Sequence, residues 1–130
     1  MSFKKYLDKV EEFHNHFNIK NNHSPQLLSE EEYTLRYNLL KEENEEYLNA
    51  CKNKDIVEIA DALGDILYIV AGTLLQHGLQ HKIDEVFEEI HRSNMSKLGE
   101  DGKPIYREDG KVLKGPNYFQ PDIKRILNGQ

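Results

Sequence analysis

The stretch DIVEIADALGDILYIVAGTLLQ, residues 55 to 76, decides the fold. Asp55 is placed to cap its N-terminus, and Gly78 stops it. From Ile66 through Val70 and on to Leu75 the stretch is apolar on every side, the mark of a helix buried centrally in a bundle. At about 100° per residue, Glu58, Asp61 and Asp65 share an arc of roughly 60°. That arc continues into Ile69 and Gly72. The three acids therefore stand on a side that the same helix buries one or two turns later.

Three further helices read outward from it by the 3.6-residue period. The first runs from about Ser2 to Phe17, with Phe3, Tyr6, Leu7, Val10, Phe13 and Phe17 on one face. The polar stretch from Asn18 to Pro25 breaks it. A second begins at Ser29, with Glu32 in capping-box position, and continues to about Cys51. A fourth spans about Ile83 to Leu98. After Gly99 the pattern changes to a turn over 100–104, a small hairpin over 104–114 around Asp109-Gly110, and a short helical end from about Asp122 to Leu127. The expected architecture is all-α: a four-helix bundle over 1–98 with a basic, loop-rich tail over 99–130, forming one domain.

A chain of 130 residues suits a single domain. Charged residues at 31% against 38% hydrophobic ones give a mean hydropathy of -0.75, a composition that completes its core by oligomerising. The lone Cys51 excludes an internal disulfide framework and a Cys-rich zinc site. No apolar run reaches the ~18 residues of a membrane span, and the N-terminus does not read as a signal peptide. The expected location is cytoplasmic, with no membrane partner. Charge is distributed unevenly: residues 29–65 carry four basic and eleven acidic side chains, whereas residues 91–130 carry eight basic and five acidic. The acidic middle is unsuited to a nucleic-acid backbone. It attracts divalent cations instead, and the basic C-terminal third suits an anion such as a phosphate.

On the second helix Leu39, Leu40, Tyr47 and Ala50 define the apolar stripe. Glu43 falls in the middle of that stripe and Glu46 at its edge, while Glu42 lies further round and Glu45 points away. Carboxylates converging on partly buried ground repel one another and are costly unless paired. Mg²⁺, or Mn²⁺, resolves the conflict, because it takes carboxylate oxygens and retains waters that a phosphate displaces. The candidate ligands are Glu42, Glu43, Glu46, Glu58, Asp61 and Asp65. All but Glu46 have a plainer reading: Glu58 as the far half of a capping box with Asp55, Glu43 as the partner of Arg36, Asp61 and Asp65 as surface charges, Glu42 as a solvated one. On the fourth helix Val86, Phe87, Ile90 and Leu98 define the inner face, with Asn94 and Lys97 on it. An inward Lys beside an amide suits an anionic ligand, and otherwise is a Lys snorkelling past the core. Lys103, Lys111 and Lys114 add positive charge in the tail.

The run Glu42-Glu43-x-x-Glu46, then Glu58-x-x-Asp61 and the segment Asp61 to Tyr68 (DALGDILY), resembles the all-α nucleoside triphosphate pyrophosphohydrolases, which include MazG-like enzymes, dimeric dUTPases and phosphoribosyl-ATP pyrophosphohydrolase. The likeness extends through HRSNMSK (His91 to Lys97) and the tail from Asp101 to Tyr118, in the manner of the phosphoribosyl-ATP pyrophosphohydrolase-like branch. It implies hydrolysis of a nucleoside triphosphate between the α and β phosphates, with Mg²⁺. It makes Glu43 and Glu46 the first ligand pair and Glu58 and Asp61 the second. Many relatives have Glu-x-x-Asp directly before the LeuLeuTyr-like run; here those positions are Ala62 and Asp65, so Asp61 either belongs to the Glu58 register or substitutes for the missing Glu. Glu43 or Glu46 would orient the attacking water. Arg36, Asn94, Lys97, Lys111, Lys114 and Tyr118 form the expected substrate-binding set. The resemblance also implies a homodimer or homotetramer, with the third helix at its interface.

Two rival readings remain open at this level. A helical oligomer that only binds nucleotide or a protein partner would share the fold. A di-iron bundle would need two Glu-x-x-His motifs; Glu11-x-x-His14 and Glu88-x-x-His91 exist formally, but Glu88 points away from its helix's apolar face. The chain has no GxxxxGK[ST] phosphate loop, no Ser or Cys nucleophile in an activating setting, and Gly78 weakens His77/His81 as a zinc pair.

Overall fold

The computed structural model describes residues 2–129. It contains five helices: α1 (Lys4–His16), α2 (Glu30–Lys52), α3 (Ile56–His77), α4 (Ile83–Met95) and α5 (Ile123–Leu127). Every expected helix is present, and no described residue lies in a strand beyond one isolated antiparallel bridge, Tyr106 to Val112. That bridge closes the expected hairpin, with Arg107 N–H on Lys111 O (2.8 Å) and Leu113 N–H on Ile105 O (2.7 Å). Contacts group the chain into two compact units, Met1–His81 and Lys82–Gln130.

In the first unit α3 packs against both α1 and α2. Leu7, Val10, Ala50, Ala62, Ala71 and Leu75 form the buried apolar core there. Local chemistry fixes the helix ends. The Ser29 hydroxyl accepts from Glu32 N–H (3.2 Å) and the Glu32 carboxylate accepts from Ser29 N–H (3.0 Å), completing the expected capping box. Asp55 caps α3 by accepting from Val57 N–H (3.1 Å) and Glu58 N–H (3.2 Å). Its own N–H goes to Ala50 O (3.1 Å), so Glu58 does not close the other half of a box. At the far end, where a helix leaves carbonyls unpaired, the segment after α1 supplies donors: Asn22 N–H to Leu75 O (2.9 Å), Gln26 N–H to His77 O (2.9 Å) and Asn22 Nδ2 to Gln76 O (2.7 Å). Gly78 then ends α3 in the left-handed conformation.

Two expectations about burial need correcting. The apolar second half of α3 is not enclosed: Leu63, Leu67 and Tyr68 are 46%, 53% and 42% exposed. Only α1 and α2 flank α3 within its unit, so its third side stays open. On α1 the buried residues are Leu7, Val10 and His14, while Tyr6, Phe13 and Phe17 are exposed in part. The aromatics stack along the flank instead, Phe13 lying 4.5 Å from Phe17 and 5.6 Å, edge-on, from Tyr68.

The second unit inverts the expected face of α4. Its buried residues are Glu89 and Ser93, whereas Phe87 and Ile90 are exposed. The reason is that α4 holds an extended segment of the tail by that segment's main chain, which demands polar partners. Ser93 Oγ donates to Phe119 O (2.7 Å), Phe119 N–H donates to Ser96 Oγ (3.1 Å), and Asp122 N–H donates to Glu89 Oε2 (2.8 Å). Arg92 holds Glu89 Oε1 with Nη2 at 2.8 Å and lies 4.9 Å over the Phe119 ring. Asp122 N–H and the Arg92 guanidinium together hold the Glu89 carboxyl below its usual range.

Two glycines of α3 test this packing. A Cβ on Gly64 would meet nothing within 4 Å, whereas one on Gly72 would lie 2.7 Å from Arg36 Nη2 and 2.9 Å from His14 Nε2. Gly64→Ala should therefore stabilise the chain by roughly 0.5–1 kcal/mol through helix propensity. Gly72→Ala should destabilise it by about 1–3 kcal/mol by overpacking. Urea denaturation of the two variants checks the opposite signs.

Candidate metal centre

The antiparallel pair α2 and α3 brings three acids together. One carboxylate oxygen each from Glu43, Glu46 and Asp65 lies within 4.8 Å of the others. Glu43 and Asp65 are half-buried and Glu46 is exposed. Among the described residues this is the one group of three or more His, Cys, Asp or Glu side chains so disposed. Ala62, about one turn before Asp65 on α3, is small and buried.

The electrostatics are those of like charges forced together. Burial first, then the Glu46 carboxyl against it, then the charges of Asp65, Glu46 and Asp61, push the Glu43 carboxyl up to about 7. Burial, followed by Asp61 and Glu46, also raises Asp65. Glu43 Oε2 is buried with no hydrogen-bond partner. An orphaned buried carboxylate oxygen beside two more carboxylates fits a hard divalent cation, which supplies both the missing partner and the missing positive charge.

The remaining expected ligands distribute around this trio. Asp61, exposed one turn before Asp65, acts on Glu43 and Asp65 through its charge but stays outside the group of three. Glu58 lies seven residues before Asp65, about 10 Å along the helix, and is exposed. Glu42 is exposed and lines an open surface depression with Asn38, Lys41, Glu45 and Glu46. The two registers considered for the second pair thus separate: the Asp65 register faces Glu43 and Glu46. The sequence signal for it was Asp65 immediately before Ile66-Leu67-Tyr68.

Of the expected substrate-binding residues, Arg36 is buried and spends its donors on α3, Nε on Thr73 Oγ1 (3.0 Å) and Nη2 on Ile69 O (2.9 Å). The others lie in the second unit. There Asn94 and Lys111 are exposed and Lys97 is half-buried, its carbonyl accepting from Gly115 N–H (2.8 Å). Lys114 Nζ sits 4.7 Å over the Tyr118 ring. Neither formal Glu-x-x-His motif joins a cluster: His14 is buried, its Nδ1–H on Asn21 Oδ1 (2.6 Å), and Glu88 and His91 are exposed. Sequence reasoning missed Thr73 and Glu89, whose partners Arg36 and Asp122 lie more than thirty residues away, and Asn21, which meets His14 across the irregular turn after α1.

The phosphoribosyl-ATP pyrophosphohydrolase family model matches residues 10–94, which contain the whole carboxylate trio. The chain belongs to this family. An uncharacterized protein, L479, of Acanthamoeba polyphaga mimivirus is 31% identical to this family member over 97 residues, 72% of the chain. The chain spans about a third of that curated relative, 35% of its length. The crystal structure of a "putative NTP pyrophosphohydrolase" from Exiguobacterium sp. 255-15 covers 95% of the chain and 92% of its own, with a TM-score of 0.50 and 24% identity, which supports the all-α fold. The family resemblance and the all-α expectation are thereby borne out.

The trio makes a pH prediction. A carboxyl raised from its usual 4.5 to about 7 binds its proton more tightly in the folded state. Its contribution to stability is therefore complete below pH ~4.5 and is lost as pH rises through about 7. In EDTA, the melting temperature of the chain relative to Glu43→Gln should fall across that window. Added Mn²⁺ should raise the melting temperature of the unaltered chain at pH 7.5 and have little effect at pH 4.5.

Proposed function

We propose that the chain is a Mg²⁺-dependent nucleoside triphosphate pyrophosphohydrolase, able to use Mn²⁺, that cleaves between the α and β phosphates to give a monophosphate and pyrophosphate. The observation that carries this reading is the convergence of Glu43, Glu46 and Asp65 around the partnerless Glu43 Oε2, in a chain of a pyrophosphohydrolase family. Glu43, Asp65 and Glu46 would hold the cation, with Asp61 adding charge beside them and Glu42 and Glu58 outside. When bound, the divalent ion supplies charge neutralisation on phosphate oxygens and lowers the pKa of water.

The chain's own residues do the rest. Glu46, the exposed member, orients the attacking water and takes its proton, with Glu43 as the alternative base. The water oxygen bonds to phosphorus as the bond to the leaving phosphate oxygen breaks. In the second unit, Lys97, Lys111 and Lys114 are the proposed phosphate-binding charges, with Asn94 and Tyr118 suited to sugar or phosphate. Arg36, expected to bind substrate, has its Nε and Nη2 committed to α3 and is given no part in the reaction.

The assembly is a homodimer or homotetramer. Exposed Leu63 and Leu67 on α3, and exposed Tyr37 and Leu48 on α2, support a second copy as the cover for this apolar surface. A cytoplasmic location is supported by the free Cys51; no described helix is long and apolar enough to cross a membrane.

Pyrophosphate release from a panel of canonical and modified nucleoside triphosphates, with Mg²⁺, Mn²⁺ or EDTA, tests the reading. Metal-dependent release is expected, lowered on the order of a hundredfold by Glu43→Gln or Asp65→Asn and by no more than a few-fold by Glu42→Gln or Glu58→Gln. Absence of release from every substrate by folded protein would leave a binding module. For the assembly, Leu67→Glu should lower the mass measured by light scattering; an unchanged mass would remove α3 from the interface.

A further inference from the structure

Beyond the trio, the first unit holds a buried cation that the catalytic reading does not use. Arg36 is 8% exposed. Among the described residues no carboxylate forms an ion pair with it. Its contacts are both on the neighbouring helix: Thr73 Oγ1 at 3.0 Å from Nε and Ile69 O at 2.9 Å from Nη2. Thr73 in turn donates its hydroxyl proton to Ile69 O (2.8 Å), so the two acceptors are tied to each other as well as to the guanidinium. A buried charge of this kind is costly, and a plain packing role would be filled by Leu or Met at no such cost.

Position explains the choice. Arg36 precedes Glu43 by seven residues, two turns along one stripe of α2. Ile69 and Thr73 follow Asp65 by four and eight residues, one and two turns along one stripe of α3. Because the helices run antiparallel, these steps lead in the same direction from the carboxylates. The tie therefore sits about two turns from the point where Glu43 meets Asp65, on the same seam. It also fixes register. The acceptor on α3 is a main-chain carbonyl reached where Gly72 carries no side chain, since a Cβ there would lie 2.7 Å from Arg36 Nη2. Sliding α3 by one turn would replace that opening with the side chain of another residue. An apolar core of Ala50, Ala62 and Ala71 has no comparable means of specifying register, because its contacts are non-directional.

We propose that Arg36, through Thr73 and the Ile69 carbonyl, is a positioning residue that sets the register of α2 against α3 and so holds Glu43 and Glu46 at cation-binding distance from Asp65. The inference rests on the proposed metal-dependent function, and its test reads metal binding directly. The experiment is Mn²⁺ titration followed by electron paramagnetic resonance, with no nucleotide present, on the unaltered chain and on Arg36→Lys, Arg36→Met, Thr73→Val and Val10→Ala. Val10→Ala removes buried packing on α1 without touching the tie and serves as the control for lost stability. Thr73→Val and Arg36→Met should weaken Mn²⁺ binding about tenfold, Arg36→Lys should recover part of the loss, and Val10→Ala should bind as the unaltered chain does. If Arg36→Met does not fold, Thr73→Val carries the test alone. Unchanged Mn²⁺ affinity in Thr73→Val, or an equal loss in Val10→Ala, overturns the positioning role and leaves the proposed function standing. An unaltered chain that binds no Mn²⁺ overturns both.

Discussion

Mutual repulsion among Glu43, Glu46 and Asp65 is the constraint to which the first unit is built. Three like charges on one helix–helix seam oppose the packing that brings them together, and burial, with the neighbouring carboxylates added to it, pushes the Glu43 carboxyl up to about 7. Small residues, Ala50, Ala62, Ala71 and Gly72, are buried along these helices, and the Arg36 guanidinium ties α2 to α3 with two hydrogen bonds. Ser29 and Asp55 cap the N-termini of α2 and α3, and the segment after α1 caps the C-terminal end of α3.

The second unit solves a different problem. A loop-rich tail cannot bury enough apolar surface to order itself, so α4 orders it through polar groups. Glu89, Arg92, Ser93 and Ser96 recur at helical spacing along one face, and all meet the stretch from Phe119 to Asp122. A buried carboxylate is acceptable there because Arg92 and a main-chain N–H satisfy it.

Much of this was legible in the sequence. Periodicity located all the helices, and Ser29 with Glu32 marked the start of α2 before any coordinate was needed. Glu43 in the middle of an apolar stripe was readable as a carboxylate aimed inward. The choice between Asp61 and Asp65 was not, since both share one arc and only the register of α2 against α3 separates them. Arg36 illustrates the same limit: its place on the stripe of Glu43 was visible, but its partners lie more than thirty residues away. The face of α4 was misread because hydrophobic patterning assumes an apolar partner, whereas the partner here is a bare main chain.

That last feature bears on how the tail can change. The contacts that 119 and 122 make with α4 come from peptide groups and the Phe119 ring, while the Asp122 carboxylate turns to α5 and caps it at Arg125 N–H. Substitutions along this stretch therefore leave its docking largely intact, with one exception: proline at 119 or 122 would delete an N–H on which the attachment depends. Drift in the tail is filtered by the hydrogen-bonding capacity of the backbone rather than by side-chain identity. The tail is accordingly a place where new surface chemistry can accumulate without loosening its anchor.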